Sequence, residues 1–133
     1  MNFPLTQGAH HIGLTVSKLE ESAKLFTSLL GWKEVKRNSD YPAIFVSDGQ
    51  VMLTLWATKE EPVGEFNKNR NIGLQHIAST VGDEESLNHL YEHLNNNGVD
   101  IEFAPEQLGP GPVKHMMCYE PSGSRVEFTW PGK

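Results

Sequence analysis

Cysteine is nearly absent from this sequence. Cys118 is the single one among 133 residues, so no internal disulfide can form and the chain suits a reducing compartment. With no C-x-x-C companion, Cys118 reads as small core filler. Basic charge is short as well: 11 Lys and Arg against 17 Asp and Glu leave a formal net charge of -6. No Lys/Arg stripe reverses that balance locally, which sets nucleic acid aside as a partner. Long apolar runs are missing too. Nothing approaches the roughly 18 residues needed to span a bilayer, and Met1 to His11 lacks the basic start and apolar core of a signal peptide. The expected location is therefore cytoplasmic, with no membrane partner. What remains is an ordinary folding composition, 38% hydrophobic with Gly and Pro scattered, in a length that fits one compact domain or two half-size modules sharing a core.

The chain repeats itself. His11-Ile12-Gly13-Leu14-Thr15-Val16 returns 65 residues later (11 to 76) as His76-Ile77-Ala78-Ser79-Thr80-Val81, with His, Ile, Thr and Val in the same places. Each copy reads as a strand whose two-residue period turns Ile12, Leu14 and Val16 to one face and His11, Gly13 and Thr15 to the other. A helix follows each copy. In the first, Ser17 is the expected cap with Glu20 completing a capping box, Leu19, Ala23, Phe26 and Leu30 recur at helical spacing, and Gly31 is the stop. In the second, Asp83 is the cap, Leu87, Leu90, Tyr91 and Leu94 form the apolar stripe, and Gly98 ends the element in the left-handed conformation.

Each module then continues with a strand, Trp32 to Lys36 or Val99 to Phe103, and two more joined by turns at Asp48-Gly49 and Pro121-Ser122-Gly123. Aligning Gly49 with Gly123 also brings Trp56 onto Trp130 and sets Leu53 opposite Glu127, and the shared tryptophans suggest a structural role. The expected fold is α+β: a single domain of two tandem βαβββ modules, about 9–57 and 74–130, joined by a polar connector at 58–73, forming a curved mixed sheet with a concave metal-binding cleft.

Two histidines opening equivalent strands project to the face opposite Ile and Val, so pseudo-twofold packing would aim both imidazoles into one trough. Glu127 alternates with Val126, Phe128 and Trp130 and therefore faces the same side. An ionised carboxylate buried there costs several kcal/mol unless it is paired or coordinated, and a divalent cation between neutral imidazoles removes that cost. His11, His76 and Glu127 are accordingly the candidate metal ligands. Two His and one carboxylate leave coordination positions open, as substrate or oxygen chemistry requires.

At this point the sequence resembles a known family. His-Ile-Gly-Leu-Thr-Val, the helix ending Leu-Leu-Gly-Trp, and Glu-Pro-Ser-Gly-Ser-Arg-Val-Glu-Phe near the end look like the vicinal oxygen chelate superfamily of glyoxalases, bleomycin-resistance proteins and extradiol dioxygenases. The resemblance covers residues 9 to 130, and its ligand positions carry over to His11, His76 and Glu127. Members similar to glyoxalase I have a fourth ligand where this chain has Leu53, and fosfomycin-resistance transferases have a threonine where it has Gly13. Extradiol dioxygenases share the His, His, Glu set on a chain about twice as long. Bleomycin-binding relatives hold no metal and sequester their ligand in an aromatic-lined groove. The resemblance also implies a homodimer, with sites in some members assembled across chains.

The sequence holds further histidines, basic residues and a glycine-proline loop as candidates for chemistry. His89-Leu90-Tyr91-Glu92-His93 matches the H-x-x-E-H zinc pattern, but a helical wheel turns His89 and His93 away from the apolar stripe. His10 alternates to the other strand face from His11. His115 stands on a strand lining the cleft and is a candidate substrate or proton-handling group, its type suiting that task. Gly109-Pro110-Gly111-Pro112 lacks the Lys-Ser/Thr of a P-loop and reads as a rim loop. Arg125 and Lys114 are the basic candidates for an anionic substrate.

The expected function is a small metal-dependent enzyme. One divalent ion, of Fe, Mn, Ni, Co or Zn, chelates a small oxygen-bearing substrate for lyase, isomerase or dioxygenase chemistry, with Glu127 as ligand and candidate base. The alternative is a metal-free protein that sequesters a small molecule in the same trough. A regulatory or scaffolding module is the third.

Overall fold

A computed structural model describes residues 2–133. The chain divides into two compact units, Met1–Glu60 and Glu61–Lys133, and each runs strand, helix, then three strands. In the first unit β1 (His11–Val16) leads to α1 (Leu19–Lys24), which runs on into a π-helical turn at Leu25–Leu29, followed by β2 (Lys33–Asn38), β3 (Ala43–Ser47) and β4 (Met52–Ala57). In the second, β5 (Ile77–Thr80) and α2 (Glu84–Asn96) precede β6 (Asp100–Gln107), β7 (Lys114–Tyr119) and β8 (Arg125–Trp130). Each sheet has four strands, in the orders β1-β4-β3-β2 and β5-β8-β7-β6. The pairs β1/β4 and β5/β8 are parallel and the others antiparallel. The α+β expectation is met by these two mixed sheets. No described helix is long and apolar enough to cross a membrane.

One face of each sheet packs on its helix. Leu14, Val16, Ile44, Val46, Leu53 and Leu55 are buried with Ala23 and Phe26 of the first helical segment. In the second unit Met116, Cys118, Val126 and Phe128 are buried with Leu87 and Leu94 of α2. A fully buried side chain of this size contributes about 2 kcal/mol, so these apolar faces fix the strand registers and leave the opposite faces for chemistry.

The two helices differ at their ends. Asp83 caps α2 as expected, its side chain accepting from the Ser86 N–H at 2.6 Å, and Gly98 follows at φ +77. The capping box expected at Ser17 and Glu20 does not form: α1 is capped by Lys18 with no side-chain hydrogen bond. Glu20 instead accepts from Arg37 Nη1 at 2.6 Å, a charged donor that outcompetes a backbone N–H. Beyond α1 the Leu30 N–H reaches back five residues to the Leu25 carbonyl, at 3.1 Å. This wider turn carries both Leu25 and Phe26 into the core, where strict helical spacing selects only Phe26 and Leu30.

Strand register corrects one sequence alignment. Gly13 stands beside Thr54 in the β1/β4 pair, and Ala78 stands beside Glu127 in the β5/β8 pair. Gly13 and Ala78 occupy equivalent places in the repeated strand, so the counterpart of Glu127 is Thr54 and not Leu53. The cause is loop length: residues 48–51 link β3 to β4, whereas 120–124 link β7 to β8, one residue more. A one-residue slip sends every side chain to the other face. Trp56 therefore shares the open face with Thr54, while Trp130 shares the helix-side face with Val126 and Phe128, and the two tryptophans are not equivalent.

Candidate functional site

The open face of the second sheet gathers the ionisable groups. β8 presents Arg125 and Glu127 there by alternation, and His76, just ahead of β5, lies one pleat from Glu127 because Ala78 is Glu127's partner. His76 Nε2 stands 3.4 Å from Glu127 Oε1. The other carboxylate oxygen, Oε2, is hydrogen-bonded to His115 Nδ1 from β7. His115 and Glu127 are both buried, and the His115 ring packs on Phe103 at 5.0 Å between centroids. Of the residues expected to carry chemistry, His76, Glu127 and His115 thus meet around one carboxylate.

His11 begins β1 in the first unit, exposed, with its Nδ1 2.9 Å from His10 Nδ1 and the two rings edge to face. Among the described residues, no group of three or more His, Cys, Asp or Glu side chains is positioned to hold a metal ion. The second unit supplies a pair, and its donor chemistry fits a cation. Gln75 Oε1 accepts from Arg125 Nη1 at 3.1 Å, and because guanidinium only donates, that oxygen is an acceptor. His76 Nδ1, 2.8 Å from the same oxygen, must then be the donor. Neutral His76 consequently turns the Nε2 lone pair toward Glu127 Oε1, two acceptors facing one another, an arrangement that a proton or a metal ion between them satisfies.

Beside this pair lies an ion network that sequence reading missed. Arg125 forks onto Glu102, Nε to Oε1 and Nη2 to Oε2, both at 2.8 Å. Tyr119 donates its hydroxyl to Glu102, and Lys68 Nζ stands 3.5 Å from Oε2. The Arg125 hydrogen bonds hold the Glu102 carboxyl down to about 2; in return Glu102 raises Arg125 and, by accepting its hydroxyl proton, Tyr119. Arg125 is thus committed to Glu102 and Gln75, and Lys114 to Glu84 at 2.7 Å, which removes both as ready anion-binding groups. His89 is 71% exposed, as the helical wheel requires, and Cys118 is fully buried with its thiol pushed up to about 12 by that burial.

The first sheet's open face is of another kind. Thr54 Oγ1 accepts from Trp56 Nε1 at 2.9 Å. The Trp56 ring stacks on Tyr41 at 5.2 Å and meets Phe45 at 5.9 Å, while Lys36 Nζ lies 5.9 Å over the Phe45 ring. A Cβ on Gly13 would come within 3.2 Å of Thr54 Oγ1.

Comparison with known proteins agrees with this architecture. The model of the Glyoxalase/Bleomycin resistance protein/Dioxygenase superfamily matches residues 8–128. A catechol-2,3-dioxygenase of Bacillus subtilis (strain 168) is 29% identical over 96 residues, 69% of this chain but 33% of the relative, so the chain spans about a third of the length of that protein. Among solved structures, a glyoxylase/bleomycin resistance protein/dioxygenase domain from Frankia sp. EAN1pec has TM-score 0.82 at 23% identity, covering 96% of this chain and 99% of that one. A lactoylglutathione lyase from Agrobacterium tumefaciens has TM-score 0.76 at 15% identity, covering 97% of each. Likenesses at these identities speak to fold.

Proposed function

The chain belongs to the Glyoxalase/Bleomycin resistance protein/Dioxygenase superfamily, and from that premise we propose that it is a metal-dependent enzyme acting on a small oxygen-bearing substrate. Superfamily relatives bear names such as catechol-2,3-dioxygenase and lactoylglutathione lyase, so ring cleavage and lyase or isomerase chemistry are the reactions to screen. His76 and Glu127, with His11 as the third protein ligand, would hold one divalent ion of the Fe, Mn, Ni, Co or Zn class. When bound, that ion supplies Lewis acidity toward two substrate oxygens.

The observation that carries the reading is the pair His76 Nε2 and Glu127 Oε1, acceptors facing each other at 3.4 Å with the remaining imidazole nitrogen engaged by Gln75. His115 holds the second oxygen of Glu127, which fixes the direction of the first and leaves His115 within one hydrogen bond of any proton Glu127 takes up. Glu127 is the ligand and the base of this proposal.

Elemental analysis of untagged protein tests it, in the wild type and in His11→Ala, His76→Ala and Glu127→Ala. About one metal ion per chain in the wild type, lost in each variant, is the expected result. A wild type that takes up none of the five metals after anaerobic reconstitution would falsify the enzyme reading, and tight binding of an aromatic ligand by that metal-free protein would put the sequestering function in its place.

A further inference from the structure

We infer that Gln75, gripped by the Arg125–Glu102 fork, is the positioning residue that locks His76 in its Nδ1–H tautomer and so keeps Nε2 free for a cation. The inference rests on the reading of His76 as a donor atom and deepens it.

A neutral imidazole here has two possible homes for its proton. On Nε2 it would point at Glu127 Oε1, 3.4 Å away, outside ordinary hydrogen-bond length; on Nδ1 it meets Gln75 Oε1 at 2.8 Å, a normal bond. The second placement needs the Gln75 amide oxygen, and not its NH2, to face the ring. Arg125 enforces that choice, since its Nη1 can only donate and lies 3.1 Å from Oε1. An amide flip would set two donors against each other. Arg125 cannot turn away, because its Nε and Nη2 are held by both oxygens of Glu102 at 2.8 Å, and Lys68 and Tyr119 hold Glu102 in turn. The orientation therefore runs from Glu102 through Arg125 and Gln75 to His76.

Outer hydrogen bonds of this kind fix the tautomer of a ligating histidine, and their loss typically lowers metal affinity by about 10- to 100-fold. Gln75 touches no reacting atom and acts through His76. Its side chain is exposed, so its replacement leaves the buried faces of the sheet untouched.

Long-range 1H–15N correlation on metal-free protein in EDTA at pH 8 reads the tautomer directly, with the His76 resonances identified by their absence from His76→Asn. In the wild type we expect protonated Nδ1 and bare Nε2. In Gln75→Leu the proton should move to Nε2, where Glu127 becomes its acceptor, and zinc affinity measured by chelator competition should fall by about 10- to 100-fold. Gln75→Glu keeps an acceptor within reach of both Nδ1 and Arg125 and should restore the wild-type tautomer. A wild-type His76 protonated on Nε2, or a Gln75→Leu protein that keeps Nδ1–H, overturns the inference, as does zinc affinity that is unchanged when the tautomer switches. Failure of the wild type to bind any metal would instead sink the metal reading, while the tautomer in EDTA decides the role of Gln75 independently.

Discussion

The two units share an element order and sheet topology, yet their open faces have opposite characters. In the first, Thr54, Trp56, Tyr41 and Phe45 make an aromatic surface whose buried polar group, among the described residues, is the Thr54 hydroxyl bonded to an indole. In the second, His76, His115, Glu127, Arg125 and Glu102 make a connected ionic one. The registers set Thr54 and Glu127 at the same place in the fold. The repeated backbone therefore supplies two equivalent platforms, and the side chains at a few positions decide which of them can hold charge. A face able to bury a carboxylate has cationic or N–H partners in contact with it; at Thr54 the partner in place is the neutral Trp56 indole N–H, which carries no charge to set against a carboxylate.

The most damaging way to erase that difference is Thr54→Glu. Thr54 is 3% exposed, Gly13 is tightly set against it, and a carboxylate there gains no partner equivalent to His115. We expect a loss of about 3 kcal/mol in unfolding free energy, read from urea denaturation at pH 7. A change below about 1 kcal/mol would mean that the first face tolerates charge as the second does.

Next in size is Arg125→Met, which keeps the stem of the side chain and removes the fork. Glu102 retains 23% exposure and can rehydrate in part, so we expect about 2 kcal/mol, less than the cost of stripping a partner from a fully buried charge. The same network makes a prediction in pH. Glu102 titrates at about 2 in the folded chain, against an ordinary value of 4.5. A depressed carboxyl stabilises the fold fully above about pH 4.5 and loses that contribution as pH falls toward 2. The stability difference between wild type and Glu102→Gln should therefore be largest at neutral pH and shrink between pH 4.5 and 3. A gap independent of pH would show that the charge on Glu102 contributes nothing.

How far these faces could be read from the sequence depends on the residue. Strand alternation placed His76 and Glu127 on the open face because β8 is regular over its whole length, and Asp83 and Gly98 marked the ends of α2 through local chemistry alone. Glu102 was hidden for the opposite reason. β6 shifts register between Ile101 and Phe103, so Glu102 reaches Arg125 while its neighbour Phe103 packs on His115, which a two-residue period forbids. Gln75 had no signal of its own, being a polar residue outside any element whose role exists only through Arg125, 50 positions away. The π-helical turn at Leu25–Leu29 and the unequal β3–β4 and β7–β8 loops are likewise insertions of single residues, and alignment on glycines and tryptophans passed over them.

The finest test of the comparison exchanges its smallest residues. Gly13 and Ala78 occupy the same position, one beside Thr54 and the other beside Glu127. Alanine in a strand interior is ordinarily favoured over glycine by about 0.5–1 kcal/mol, so Ala78→Gly should destabilise by that amount. Gly13→Ala would gain it if space allowed. The new Cβ, however, would lie 3.2 Å from Thr54 Oγ1 and 3.7 Å from Trp56 Nε1, and moving the hydroxyl lengthens the 2.9 Å bond that satisfies the indole N–H. Losing a neutral hydrogen bond of this kind costs about 1 kcal/mol, enough to cancel or reverse the gain. We therefore expect Gly13→Ala to leave stability unchanged or lower it by up to about 0.5 kcal/mol, with a clear shift of the Trp56 indole proton in the NMR spectrum. A stabilised variant with that proton unmoved would show that Thr54 yields freely, and that glycine at this position is not held by the packing of the aromatic face.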